Sequence, residues 1–203
     1  MGGGGHCRSV LDAAKRMNWF EEIVITDNAM AAGDKFMGCR VAGGDEMLPR
    51  LFQDGFGMAF VSVGSIESTL LRKALFEKAE REGFGFPNII DPSAQVSDYA
   101  AVGKGVFVGK NAVINAGARI EDMAIINTAA VIEHGCCIGA FSHVSVGAMM
   151  CGDSKIGCSV FVGANATVIQ GVKIGMNSVI GAGSLVLRDV GPDSRFTGLG
   201  GKI

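Results

Sequence analysis

The chain has 203 residues, 48% hydrophobic and 19% charged, with a formal net charge of −2. That composition is globular and long enough for one large or two small domains, and the charge argues against nucleic acid as the main partner. No apolar run is long enough to span a bilayer and no signal-peptide pattern follows Met1, so a cytoplasmic protein with no membrane partner is expected.

The chain starts Met1-Gly2-Gly3-Gly4-Gly5-His6. Ser9 to Met17 reads as a helix, Ile23 to Thr26 as a short buried strand ending in Asp27-Asn28, and Cys39 to Val41 as a small strand. A helix is predicted from Asp45 to about Gln53, and a strand from Ala59 to Val63 ending at Gly64. Glu67 to Glu82 is amphipathic, with Leu70, Leu71, Leu75, Phe76 and Ala79 on one face. Alternating strands and helices predict a small Rossmann-like α/β domain over residues 1–86. In such a sheet the Gly-rich turn follows a first strand. Only Met1 precedes the glycines, so either a strand lies ahead of this sequence or the sheet holds an unfilled position between the strands at Ile23 and Ala59.

From Ile89 to Val190 the chain divides into seventeen consecutive hexads without an insertion. The second position is Ile or Val in all but one, where it is Met150, and the sixth is Ala, Ser, Cys or Val. Gly follows the aliphatic residue at 103, 109, 139, 157, 163, 175 and 181. A period of six fits neither a helix nor a strand alone. It fits a short strand plus a corner, repeated as the sides of a prism, which is a parallel β-helix. The second domain, 87–203, is therefore all-β. Its coils bury one another's aliphatic rows by stacking.

The six cysteines, Cys7, Cys39, Cys136, Cys137, Cys151 and Cys158, form no C-x-x-C pair and read as reduced thiols. No metal site is expected, because Cys and His do not cluster at short spacing. Two features carry chemistry. The Gly run beside a helix start offers backbone N–H groups to an anion. Its sixth position from Gly2 is Cys7, which disfavours a dinucleotide. Asp27, about 20 residues on at a strand end, stands where an acid bonds a ribose hydroxyl. The alternative is a tight turn needing φ > 0. The second feature is histidine: His6, then His134 and His143 at positions four and one of neighbouring hexads. Neither of the latter is an inward position. Each is a solvated surface residue or a general base, the role a neutral imidazole fills near pH 7.

Several stretches resemble the hexapeptide-repeat acetyltransferases of the sialic-acid O-acetyltransferase type, closest to the UDP-4-amino-sugar N-acetyltransferases of bacillosamine-type glycan synthesis. They are Gly2 to His6, Ile25-Thr26-Asp27-Asn28, Ser62-Val63-Gly64, Pro87 to Ala94, Ile126 to His134, Cys137-Ile138-Gly139 and Phe141 to Ala148. The resemblance implies a left-handed β-helix, a homotrimer with sites between subunits, acetyl-CoA as donor and a UDP-amino-sugar as acceptor. It implies His134 as catalytic base and His143 at the thioester end of acetyl-CoA. It places Gly4, Gly5, His6, Asp27, Asn28 and Gly64 in the nucleotide-sugar pocket and Gly152 on the sugar side. Ala164, Gly181 and Ala182 fall along the pantetheine arm, and Lys202 near the CoA phosphate. Three positions depart from the family: Gly135 where relatives carry an acid after the histidine, Asp91 where many have His, and the tail Gly198 to Lys202. The expected activity is N-acetylation of a UDP-4-amino-4,6-dideoxy-sugar. O-acetylation of a sialic-type sugar and a non-catalytic trimeric scaffold are the alternatives.

Overall fold

The computed structural model describes residues 1–198; Lys202 lies outside them. The first domain carries α1 (Gly5–Met17), β1 (Val24–Thr26), β2 (Lys35–Phe36), β3 (Cys39–Gly43), α2 (Leu48–Gln53) and α3 (Leu70–Arg81). Its sheet has the order β1-β3-β2, with β1 parallel and β2 antiparallel to β3. The helix expected from Asp45 opens as one 3-10 turn before α2, because Pro49, which has no N–H to donate, stands in the first turn of α2.

The remainder is a left-handed β-helix. Each hexad places a two-residue strand at its first two positions, from Ile89–Ile90 to Leu185–Val186. Successive strands go to three parallel faces. The first face starts at Ile89–Ile90, the second at Gln95–Val96 and the third at Ala101–Val102. One coil takes eighteen residues, since Ile89 pairs with Phe107 and Phe107 with Ile125. Beyond Val190 the phase breaks: Phe196 stacks on Ile180, a coil of sixteen residues. The core is the inward second-position row with the small sixth-position residues between, among them Ile114, Ile132, Ala130 and Cys136.

Glycine serves the coils in two ways. Left-handed backbone falls at the fifth position, held by Gly105, Gly117, Gly135, Gly147, Gly171 and Gly183 and by non-glycines such as Asn111, Asp153, Asn165 and Asn177. The third-position glycines serve a different need, close stacking of coils. A Cβ on Gly139 would lie 2.4 Å from the Gly157 carbonyl carbon, and one on Gly163 2.5 Å from the Ala182 nitrogen.

The first domain packs on the first face. Val10, Ala13 and Ala14 of α1 cover Ile89, Phe107 and Ile125. Arg16 donates to both oxygens of the buried Asp91 at 2.6 and 2.8 Å. Burial pushes the Asp91 carboxyl up, but hydrogen bonds from Ser93 and the Arg16 ion pair together hold it below its ordinary range. The expected apolar face of α3 is different from the one observed. The helix starts at Leu70 rather than Glu67, Leu70 and Leu71 are 76% and 59% exposed, and Arg72, Leu75 and Ala79 face inward. Residues 65–69 are a loop that reaches the coils, where Thr69 donates to Ser159 at 3.0 Å.

Residues 59–63 run extended but are not a laddered strand, and the reason lies beside them. Met1 sits between this segment and β1: its amino group donates to Phe60 O, Ser62 N donates to Met1 O, and Gly2 N donates to Thr26 O. Among the described residues, only Met1 enters this strand position. Beyond Met1 lies a cleft of about 520 Å3 lined by Val10, Leu11, Ile25, Leu51, Phe60 and Phe84. The amino group at its end is fully buried, and burial pushes its pKa down. Roughly four or five alternating apolar residues ahead of Met1 are expected to continue this pairing through the cleft. Calorimetry should show Tm raised by roughly 4 °C or more; no gain over a polar extension of equal length would contradict it.

Candidate active site

The glycine turn enters α1 with Gly4 as N-cap and no side-chain cap. Nothing lies within 4 Å of a Cβ built on Gly4 or Gly5, so the helix start faces open space. Asp27 holds the turn: its Oδ2 accepts from Gly3 N at 2.6 Å and its Oδ1 from Ala29 N at 2.7 Å. Asn28 Oδ1 accepts from Asp45 N at 3.1 Å. These residues therefore shape the turn as well as flank it.

One loop joins the turn to the coils. A Cβ on Gly64 would lie 3.6 Å from the Cβ of His6. The next residue, Ser65, accepts from His143 Nδ1 at 3.0 Å through its carbonyl. A carbonyl only accepts, so Nδ1 carries the proton and Nε2 is bare, accepting from Asn127 Nδ2 at 3.1 Å. The Asn127 amide is oriented by its own Oδ1, which accepts from Thr128 N. His143 is thus a neutral imidazole in one fixed tautomer. Burial pushes its pKa down to about 4, offset by the Ser65 bond. It points outward from the coil, as its hexad position predicts, yet is only 8% exposed, because the first domain covers that face. His6 packs edge-on against Phe107 at 5.0 Å and lies 6.3 Å from the His143 ring. Its Nε2 is buried with no hydrogen-bond partner among the described residues, and burial pushes its pKa down to about 3.

Arg72 is the neighbour that sequence reasoning misses. The side chain is 1% exposed and donates to Ser65 Oγ, to Phe141 O at 2.9 Å and to Met123 O. Met123 and Phe141 are two bulky residues held at φ 60 and 59 on stacked corners. A charged residue on an amphipathic helix reads as solvated, and only the packing shows otherwise. Burial pushes the guanidinium down to about 10, and its charge helps to hold His6 and His143 neutral.

His134 is elsewhere. It occupies the corner between Val131–Ile132 of the second face and Cys137–Ile138 of the third, so it stands on the edge opposite the first face that carries His143. The structure brings Gly4, Gly5, His6, Gly64 and His143 together and leaves His134 half a coil away. His134 is exposed, and its backbone N–H donates to Glu133 Oε2 at 3.1 Å. The ring lies against the next coil: a Cβ on Gly152 would fall 2.5 Å from its Cε1 and 2.6 Å from its Nε2. Gly152→Ala must swing the ring away. A displacement of about 1 Å can cost on the order of 100-fold, so kcat is expected to fall by roughly 10-fold or more. Thermal melting should barely move, because the displaced ring is exposed. Unchanged kcat would show that the ring position does not matter.

Ala164 and Gly181-Ala182 stack on the corner that leaves the first face, above Ser145-Val146. This column lies on the side of the coil that carries His143. No group of His, Cys, Asp and Glu among the described residues is arranged to hold a metal ion, and none of their helices is long and apolar enough to cross a membrane.

An open helix N-terminus next to a neutral histidine cluster on a hexapeptide β-helix defines an acyltransferase of the hexapeptide-repeat class. Family models agree along the chain: the PglD N-terminal domain matches residues 1–79, the hexapeptide repeat of succinyl-transferase 99–128, and the bacterial transferase hexapeptide 153–188. Among solved structures, a His-to-Ala variant of GDP-perosamine N-acetyl transferase from Caulobacter crescentus, in complex with CoA and GDP-perosamine, is 36% identical. The match covers 97% of this chain and 91% of that one, with a TM-score of 0.89. The acetyltransferase domain of PglB from Neisseria gonorrhoeae, in complex with acetyl coenzyme A, is 32% identical over 97% and 93% of the two chains, with a TM-score of 0.90. WeeI from Acinetobacter baumannii shares the fold at 14% identity, with a TM-score of 0.73. The chain belongs to the family of acetyl-CoA-dependent sugar N-acetyltransferases that join a PglD-type N-terminal domain to a hexapeptide β-helix.

Proposed function

We propose that this protein acetylates the 4-amino group of a UDP-linked 4-amino-4,6-dideoxy-sugar. The observation that carries the reading is the loop at Gly64-Ser65. It ties the open glycine turn, through His6, to His143 on the face that leads to the Ala164–Ala182 column. An anion at the turn and an acyl donor along the column would meet at that histidine. Gly4, Gly5, His6, Asp27, Asn28 and Gly64 bind the nucleotide sugar. Remote binding energy from the nucleotide then positions the amine.

The assembly is a homotrimer. His134 and His143 lie on opposite sides of one prism, so a site using both takes them from two copies. The second face supports self-association. Its outward row, Val113, Val131, Met149, Thr167 and Leu185, is largely apolar and partly exposed, and it borders the His134 corner. In the composite site the sugar amine attacks the thioester carbonyl and His134 accepts the amine proton as the C–N bond forms. The C–S bond then breaks, and the proton passes to the departing CoA thiolate. His143 has given its only N–H to Ser65, so a backbone N–H is the donor left to meet the oxyanion. His143 instead fixes the thioester end. Gly152 keeps the base in place beside the sugar. All six cysteines are free, Cys7, Cys39, Cys136, Cys137, Cys151 and Cys158, which suits the reducing cytoplasm.

Steady-state kinetics with UDP- and GDP-linked 4-amino-sugars and sialic acids test the acceptor, and sedimentation tests the assembly. The reading expects the highest kcat/KM with a UDP-linked amine and a trimer at assay concentration. Preference for the GDP-linked amine would reassign the nucleotide, preference for a hydroxyl acceptor would overturn N-acetylation, and an active monomer would overturn the composite site.

A further inference from the structure

A histidine that works as a base usually relies on a carboxylate to orient its ring and stabilise the imidazolium that forms. At His134 the following residue is Gly135, which has no side chain to offer. We propose that Asp153, one coil above, is the residue that orients His134; this rests on the assignment of His134 as base.

Three observations place it there. First, Asp153 fills the space over Gly135: a Cβ built on Gly135 would fall 2.2 Å from Asp153 Oδ1. A carboxylate oxygen therefore stands where the side chain of residue 135 would begin. The acid is supplied from the stacked coil, and only glycine beneath it leaves room. Second, the imidazole lies on the α-carbon of Gly152, the residue next to Asp153, and Asp153 N donates to His134 O at 2.9 Å. The two corners are held in register by their backbones, so the Asp153 carboxylate stands on the corner directly above the one that carries the ring. Third, the competing acid is occupied. Glu133 accepts the backbone N–H of His134 itself, whereas the exposed Asp153 carboxylate accepts no hydrogen bond from the described residues. The other ionisable groups near this corner are the Cys151 thiol beside Glu133 and the buried Cys136 thiol, which burial above all, and then the Asp153 charge and Cys137, help to keep protonated. The corner below, Asn115-Ala116-Gly117, has none.

The backbone makes the test clean. Asp153 has φ 60, and asparagine holds the equivalent corner position at Asn111, Asn165 and Asn177 with φ 54, 54 and 58. Asp153→Asn is therefore compatible with the coil. Removing the carboxylate should destabilise the imidazolium that forms as the proton is accepted. The acidic limb of kcat/KM should move to lower pH, kcat should fall by about 10-fold or more, and KM for acetyl-CoA should stay the same. Asp153→Glu, which keeps the charge, should retain the wild-type limb. Full-length Asp153→Asn with wild-type kcat and an unmoved limb, alongside an inactive His134→Ala, would overturn the role of Asp153 and leave the base assignment standing. An active His134→Ala would overturn both.

Discussion

His134→Ala is expected to lower kcat by about 100-fold or more, the low end for loss of a general base, without harming the fold. The side chain is exposed, contributes no core burial, and makes no ring hydrogen bond among the described residues. Its truncation leaves no buried group unpaired. Its backbone groups continue to serve the stack, with Asp153 N on its carbonyl. Because the effect is on proton transfer, KM values for both substrates should change little. Thiol release followed at saturating acetyl-CoA, with calorimetry on the same samples, checks both halves. Turnover close to wild type would remove His134 from the base role; a large fall in Tm would show that the corner depends on the ring.

The second large effect is structural. Arg72→Ala removes a buried guanidinium whose donors satisfy the carbonyls of Met123 and Phe141 and the hydroxyl of Ser65. An unsatisfied buried acceptor costs about 1–3 kcal/mol, and truncating a large buried side chain adds a cavity cost. A guanidinium with neutral acceptors and no carboxylate also carries a desolvation penalty, which its removal relieves. The carbonyls and the cavity outweigh that relief, because both corners are already held in left-handed backbone by bulky residues. A net loss of about 2–4 kcal/mol is expected. Arg72→Lys should recover only part of it, because one ammonium cannot reproduce the planar fork. Denaturant unfolding measures this directly. A loss below about 1 kcal/mol would mean that the coil corners support themselves.

The β-helix is legible in the sequence almost residue by residue, because a period of six with an aliphatic second position permits few other solutions. Every hexad from Ile89 to Val190 delivers its strand where the pattern puts it. The same phase also holds the relation between the two coil histidines. They are nine residues apart in an eighteen-residue coil, which is half a turn and hence opposite sides. Counting hexads makes them neighbours; counting faces separates them. The role of glycine divides in the same way. The pattern shows where glycine recurs, but only the stacking distances separate corner residues from those that leave room for the next coil.

The first domain is less legible, because its contacts are not periodic. Helix and strand positions follow from local pattern, but the burial of Arg72 and the exposure of Leu70 and Leu71 invert what amphipathicity suggests. The coils select which face of α3 is covered, and a single-helix pattern cannot contain that information. The extended run at residues 59–63 has strand composition, and among the described residues only Met1 pairs along it from the β1 side. The burial of His143 has the same origin: its hexad position points outward, and the first domain covers it.

The central claim is acetyl transfer to a sugar amine. Its most direct measurement uses acetyl-CoA labelled with carbon-13 at the carbonyl and a UDP-linked 4-amino-4,6-dideoxy-sugar, followed by NMR together with thiol release. An amide carbonyl signal on the C4 nitrogen should grow in equal amount with free CoA. Free CoA without label on the sugar, label in an ester, or no release with any nucleotide amino-sugar would contradict it.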